Sequence, residues 1–183
     1  TTQGLSRIRE VLEQEKPDWV LVQGDTTTTF VGALAAFYLQ VPVGHVEAGL
    51  RTHNKYSPFP EEINRRLTTQ VAQLHCAPTA WARENLIREG ISPAAIRVTG
   101  NTAIDALLTV AGREYDFAGN GLGFLDFSRK IIVVTAHRRE SFGEPFLRLC
   151  RALREICARF PEAQLVYPVH LNPNVRKAVF GLL

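Results

Sequence analysis

Three acids in the first third of the chain, Asp25, Glu47 and Glu61, stand where proton chemistry could be done. Asp25 follows the apolar run Trp19 to Gln23 and a glycine, Glu47 follows the run Pro42 to Val46, and Glu61 opens a helical pattern just after Pro60. In an open parallel sheet, ligands sit beyond the carboxyl ends of the strands, where each segment turns into its helix. Asp25 and Glu47 both lie at such ends. A lone Asp there is also a good helix N-cap, but three acids delivered to one sheet edge by successive junctions are harder to explain that way. Carboxylates crowded into one hollow cannot all ionise freely, so at least one should titrate higher and shuttle a proton near neutral pH. His137 and His170 stand at later strand ends, a position where a lone histidine is more commonly a packed core residue.

The elements that must position these groups follow from periodicity. Leu5, Ile8, Val11 and Leu12 are spaced as one face of an amphipathic helix ended by Lys16-Pro17-Asp18. Residues 19–23 read as a strand buried on both faces, and a helix is expected from about Thr27 to Gln40. A second strand spans Pro42 to Val46, and a long loop, Ala48 to Pro60, follows; such loops above strand ends tend to carry function or a lid. Pro60-Glu61-Glu62 then starts a helix, with acids at the positive end of its dipole. Glu62, one position on from Glu61, should point about 100° away around the helix and so outside the acid cluster. Leu74 to Ala77 and Ile96 to Val98 read as strands, with helices at Thr79 to Glu89 and Asn101 to Val110. Asn101 reads as an N-cap and Asp105 as a helix-face acid. The rhythm breaks in a glycine-rich stretch and restarts with a strand at Ile131 to Thr135, a helix at about Glu144 to Phe160, a strand at Gln164 to Tyr167 and a helix from Asn174. Strand alternating with helix signals a parallel α/β sheet. The expected division is 1–112, a linker at 113–128, and 129–183. Each part has fewer elements than a complete α/β domain, and the chain opens on a helix with no strand before it.

Composition narrows the partners. The 183 residues are 45% hydrophobic and 21% charged, with a formal net charge of +3, ordinary values for a chain that buries a core. The basic residues are scattered, with adjacent pairs at Arg65-Arg66, Arg129-Lys130, Arg138-Arg139 and Arg176-Lys177 but no longer cluster, which argues against a nucleic-acid surface. Cys150 and Cys157 are seven apart in a helical pattern, about 10 Å along the axis and beyond disulfide reach. Together with Cys76 they read as reduced thiols of a cytoplasmic protein. The apolar run Phe30 to Leu39 is too short for a membrane span and fits a buried core helix. No signal peptide is recognisable.

Taken in order, GDTTTT, PVGHVEAGLRT, SPFPEEINR, GNTAIDAL, TAHRRESFG and YPVHLNPNVR resemble the non-hydrolysing UDP-N-acetylglucosamine 2-epimerases from about Lys16 to Val175. The resemblance implies two Rossmann-like domains in a glycosyltransferase-B-like arrangement, both incomplete in this chain, with the active site in the cleft between them. It implies inversion at C2 of UDP-GlcNAc to give UDP-ManNAc, without NAD or a metal, by loss of UDP and the C2 proton to a 2-acetamidoglucal and re-addition on the other face. The acid and base work falls to Asp25, Glu47 and Glu61, and the motifs leave open which of them faces C2. Negative charge beside the anomeric carbon would also stabilise an oxocarbenium-like transition state. His137, before a helix, can meet the departing diphosphate, and Arg138 or Arg139 can clamp phosphate bidentately, although a salt bridge fits either arginine equally well. His170 and Arg138 are candidates for substrate or regulatory UDP-GlcNAc binding. His45 and Arg51 flank Glu47 and could orient it, with a structural ion pair favoured for Arg51. A UDP-sugar partner and a homodimer are the expected associations, with no nucleic acid and no membrane.

The family's opening Gly-Thr-Arg-Pro-Glu loop and its later Ser-Gly-Gly segment, both nucleotide contacts, lie outside this chain, so these residues alone are expected to be inactive and poorly folded. The nearest alternatives are a hydrolysing epimerase releasing ManNAc and UDP, a glycosyltransferase of the same arrangement, and a sugar-nucleotide-binding remnant without catalysis. The pathway served is not written in the motifs.

Overall fold

The computed structural model describes residues 1–138 and 141–183. The chain divides into two compact units, Thr1–Arg113 and Glu114–Leu183.

In the first unit, helix α1 (Thr2–Glu15) is followed by β1 (Val20–Gln23), α2 (Thr27–Tyr38), β2 (Val43–Val46), α3 (Glu61–Val71), β3 (Leu74–Ala77), α4 (Ala80–Arg88), β4 (Ile96–Val98) and α5 (Thr102–Ala111). The strands form one parallel sheet in the order β1-β2-β3-β4. Consecutive neighbours all pointing the same way bring every carboxyl end to one edge. Short polar side chains start three of these helices. Thr26 accepts from the Thr29 amide at the head of α2, Thr79 from Ala82 at α4, and Asn101 from Ala103 at α5, each satisfying an amide the helix leaves open.

Small residues let α2 lie close to the sheet. Gly32, Ala33, Ala35 and Ala36 are buried, and Val22, Ala33, Ala36 and Val43 form one core cluster. A second cluster joins Ala48, Ala77, Ala82, Leu86 and Ile96. The apolar run 30–39 is thus a core helix, and among the described residues no helix is long and apolar enough to cross a membrane.

One expectation is overturned. The strand at 19–23 is not buried on both faces: Val22 is buried against α2, but Leu21 is 69% exposed. β1 is the edge strand of the described sheet, and Leu21 lies beside its register partner Gly44 of β2, where an added Cβ would meet Leu21 Cδ2 at 2.6 Å.

The sheet's interior is unusually polar. His45 and His75 pair across β2 and β3 and are 0% and 1% exposed. Burial, the neighbouring His45 and the Arg51 charge push His75 down to about 4, against a backbone hydrogen bond at Ala72. A histidine held neutral in the fold but free to protonate once unfolded removes stability as pH falls from the unfolded value near 6.5 to the folded value. Urea unfolding should therefore give a stability about 2 kcal/mol lower at pH 5 than at pH 7.5 from this group alone. In His75→Gln that part of the slope should be gone.

In the second unit, β5 (Lys130–Val133) pairs in parallel with β6 (Ala163–Val166), flanked by α6 (Glu144–Arg159) and α7 (Pro173–Leu182). Its core gathers Phe146, Cys150, Val175 and Val179. Before β5, Phe117 packs edge-on against Tyr115 and lies 4.8 Å from Phe127. All three cysteines are free thiols.

Candidate functional site

Asp25 and Glu47 lie at the carboxyl edge of the sheet, and Glu61 opens the helix that follows the second strand. Gly24 ends β1 by donating its amide to Val46 of β2 at 3.0 Å, and its φ of +75° turns the chain so that Asp25 follows at the rim. The imidazole of His45, fully buried below, donates from Nε2 to the Gly24 carbonyl at 2.8 Å. Burial lowers the His45 pKa, the Gly24 bond opposes this, and the Arg51 charge lowers it further, so the ring stays a neutral donor.

Glu47 follows β2 in a left-handed conformation, φ +67°. Such a backbone costs about 1–3 kcal/mol in a residue with a side chain and persists only where its surroundings impose it. Here Ala48 donates its amide to Cys76 of β3 at 3.0 Å and is fully buried. Gly49, at φ +88°, lies so close to α4 that an added Cβ would stand 2.2 Å from the Ala82 carbonyl oxygen. The bend turns the Glu47 carboxylate back over β1, where a Cβ placed on Gly24 would lie 3.8 Å from Glu47 Oε2. Glu47 therefore lies beside the residue that precedes Asp25.

Glu61 is the first residue of α3, and its Oε2 is buried without a hydrogen-bond partner among the described residues. Three and four positions on, Asn64 donates to the Asp25 carbonyl at 3.0 Å and Arg65 Nη1 lies 3.5 Å from Asp25 Oδ2. Residues at i, i+3 and i+4 share a helix face, so the face carrying Glu61 is the one laid against the Asp25 turn. Glu47 thus lies next to the Asp25 turn, and Glu61 opens the helix bonded to that turn; all three acids are only partly exposed. Carboxylates placed at such an edge can exchange a proton with a bound molecule and stabilise positive charge developing nearby.

Arg51 is an ion-pair residue, as expected. Its side chain is fully buried and meets Glu89 through Nε at 2.8 Å and Nη2 at 2.7 Å. Asn101 caps α5, and Asp105 is exposed on it. Glu62 diverges from Glu61, but into the core rather than into solvent, and is 0% exposed. Its two oxygens accept the Thr52 and His53 amides at 3.0 and 3.1 Å, and Arg65 Nε lies 3.0 Å from Oε2. Burial raises the Glu62 pKa, but the Thr52 amide, the Arg65 charge and the His53 amide together outweigh it and hold the carboxyl below its usual value. Sequence reasoning missed this role. The available signal was Arg65 three residues after Glu62 on a helix, a spacing that lets the pair meet.

In the second unit, His137 follows β5, and its ring stacks on that of His170 at 5.1 Å and 11°. His170 Nδ1 accepts the Asn172 amide at 3.0 Å, so the neutral ring carries its proton on Nε2. The turn before His137 is held by the Tyr167 hydroxyl, which donates to the Ala136 carbonyl. Burial, then the neighbouring Cys150, push that phenol's pKa up, keeping it a donor. His137, Arg138, Ser141, Phe146 and Leu149 line a hollow of about 380 Å³. Arg139 and Glu140 lie outside the described residues. A more apolar hollow of about 420 Å³ between α6 and α7 offers Asn174 and Lys177 but no acid in its lining. Among the described residues no group of three or more His, Cys, Asp and Glu side chains is arranged to hold a metal.

The sequence model of the family described as UDP-N-acetylglucosamine 2-epimerase matches residues 1–183. A putative UDP-N-acetylglucosamine 2-epimerase of Thermotoga maritima is 53% identical over 184 residues, covering 100% of this chain and 48% of that protein. The crystal structure of UDP-GlcNAc 2-epimerase from Neisseria meningitidis bound to UDP-GlcNAc superposes with a TM-score of 0.93 at 47% identity, over 100% of this chain and 50% of that one. A UDP co-structure of MnaA from S. aureus gives 0.90 at 45%, over 100% and 49%. The chain thus spans about half the length of the relatives it matches. It belongs to the UDP-N-acetylglucosamine 2-epimerase family.

Proposed function

We propose that the full-length protein carrying this chain interconverts UDP-GlcNAc and UDP-ManNAc without releasing the sugar. In this reading one carboxylate of the Asp25, Glu47 and Glu61 cluster removes the C2 proton as the anomeric C–O bond to UDP breaks. A 2-acetamidoglucal results. UDP then adds back at C1 while a proton returns to C2 on the opposite face. Negative charge in the cluster steadies the cationic anomeric centre. His137 and Arg138 take the diphosphate as it departs, and His170, stacked on His137, contributes to binding UDP-GlcNAc as substrate or as a regulatory ligand. The reaction needs no NAD and no metal, and the working protein is a cytoplasmic homodimer.

The observation that supports this reading most is that Glu47 Oε2 lies beside Gly24, next to Asp25, and that the helix opened by Glu61 is bonded to the Asp25 turn, in a chain 47% identical to a relative crystallised with UDP-GlcNAc. The test is incubation of the full-length protein with UDP-GlcNAc in heavy water, followed by NMR. Deuterium at C2 of a sugar still attached to UDP is the expected result. Free ManNAc with UDP would mean a hydrolysing enzyme, and binding without exchange would mean a catalytically silent protein. Residues 1–183 alone are expected to show no turnover.

A further inference from the structure

We infer that Arg65 is a positioning residue for Asp25, held in place by Glu62, so that α3 orients the carboxylate that follows β1. The inference rests on the acid–base reading above.

Three buried or half-buried charges lie in a line. Glu62 is 0% exposed at its side chain, Arg65 is 8% exposed, and Asp25 is 30% exposed. Each oxygen of Glu62 already holds a backbone amide, from Thr52 and from His53, so the carboxylate cannot swing away. Arg65 Nε sits 3.0 Å from one of those oxygens, without the alignment of a hydrogen bond. With its Nε side fixed by charge against an immobile anion, the guanidinium presents Nη1 to Asp25 at 3.5 Å. Asn64 holds the same turn by its backbone, donating to the Asp25 carbonyl. Glu61 begins this helix on the face shared with Asn64 and Arg65.

Glu62, the more buried acid, holds Arg65 by charge. The second reach, to a partly exposed carboxylate at a strand end, orients a group that faces substrate in the proposed reaction. Arginine suits the task because its planar fork spans two partners, whereas a lysine ammonium is a single point charge on a flexible stem. Misplacing a reacting group by about 1 Å costs on the order of 100-fold in rate.

The test uses the full-length protein and compares Arg65→Lys and Arg65→Ala with wild type for kcat, KM, C2 deuterium incorporation, UDP affinity and thermal midpoint. Arg65→Lys keeps the charge but not the span. It should lower kcat and C2 exchange together by about 10-fold, with KM and UDP affinity within about twofold. Arg65→Ala should lose about 100-fold, so that lysine recovers part of the loss. Should Arg65→Ala fail to fold, Arg65→Lys and Glu62→Asp carry the test, the latter withdrawing the anchor by one methylene and expected to lower kcat at unchanged KM. Wild-type kcat in Arg65→Lys overturns the inference, as does a loss that follows the thermal midpoint and falls equally on UDP affinity. A wild-type protein that exchanges no deuterium at C2 overturns the activity and this inference with it. An active wild type with an equally active Arg65→Lys overturns the inference alone.

Discussion

Replacing Glu47 by Gln in the full-length protein is expected to lower kcat for epimerisation by about 10²–10⁴-fold, the usual worth of a positioned acid or base. Gln keeps the shape of the side chain and suits the same backbone, so the left-handed bend at φ +67° and the packing behind it should survive. What it removes is the negative charge and the capacity to carry a proton beside Asp25. KM should move little, because the sugar nucleotide's phosphates are bound by other groups in the proposed reaction. An effect of this kind lies in the transition state rather than in ground-state binding. The C2 deuterium rate should fall with kcat. If instead Glu47→Gln leaves kcat within a few-fold of wild type, Glu47 is not a proton carrier, and the role passes to Asp25 and Glu61.

Gly49→Ala should be the most damaging small change to stability in the first unit, costing about 3 kcal/mol or more. Two effects add. At φ +88° a side chain is strained wherever it has room, and here there is none. The new Cβ would stand 2.2 Å from the Ala82 carbonyl oxygen and 3.0 Å from Leu86 Cγ, the latter on a fully buried side chain. Backbone cannot yield as a flexible side chain can, so either α4 shifts off the sheet or the bend at Glu47 opens. Urea unfolding of the full-length variant measures the first result. A loss of activity larger than the stability loss explains would report the second. Gly90→Ala is the control, since it shares φ +88° but meets nothing within 4 Å, and should cost only the backbone strain, about 1 kcal/mol.

Much of this fold can be read from the chain because its local signals agree. Asn101 caps α5 in the structure as its residue type and position suggest, and the helices after β1 and β3 begin within a residue of where their patterns start. The strands Leu74–Ala77 and Ile96–Val98 fall where short apolar runs lie between breakers, and the parallel pairing follows from the alternation of strand and helix. What escaped sequence reasoning depends on tertiary neighbours. The exposure of Leu21 turns on which face of β1 a helix covers. The His45 and His75 pair exists only through the β2–β3 register. Glu62 looked peripheral because adjacent helical residues diverge, and periodicity gives the direction of a side chain without saying what lies there. A loop folded over α3 does, and it turns an apparent surface acid into a buried anchor. For the candidate site, Asp25 and Glu47 were visible as acids at strand ends and Glu61 as one at a helix start, whereas the tilt of Glu47 over Gly24 and the Arg65 reach to Asp25 needed coordinates.

The long loop after Glu47 invites description as a lid, yet it is laced down along its length. Arg51 is tied to α4 through Glu89, Thr52 and His53 hang from Glu62, and the Thr52 hydroxyl donates to the Ser57 carbonyl. Tyr56 and Ser57 fold back on Asn54, and the Glu62 amide donates to Pro58. What remains loose is an exposed aromatic pair, Tyr56 and Phe59, riding on an otherwise stapled ribbon. A segment built this way is a wall rather than a door. In the proposed reaction, shielding the glycal from water would then rest with other parts of the protein, while this flank holds the stretch between Glu47 and Glu61 in one place.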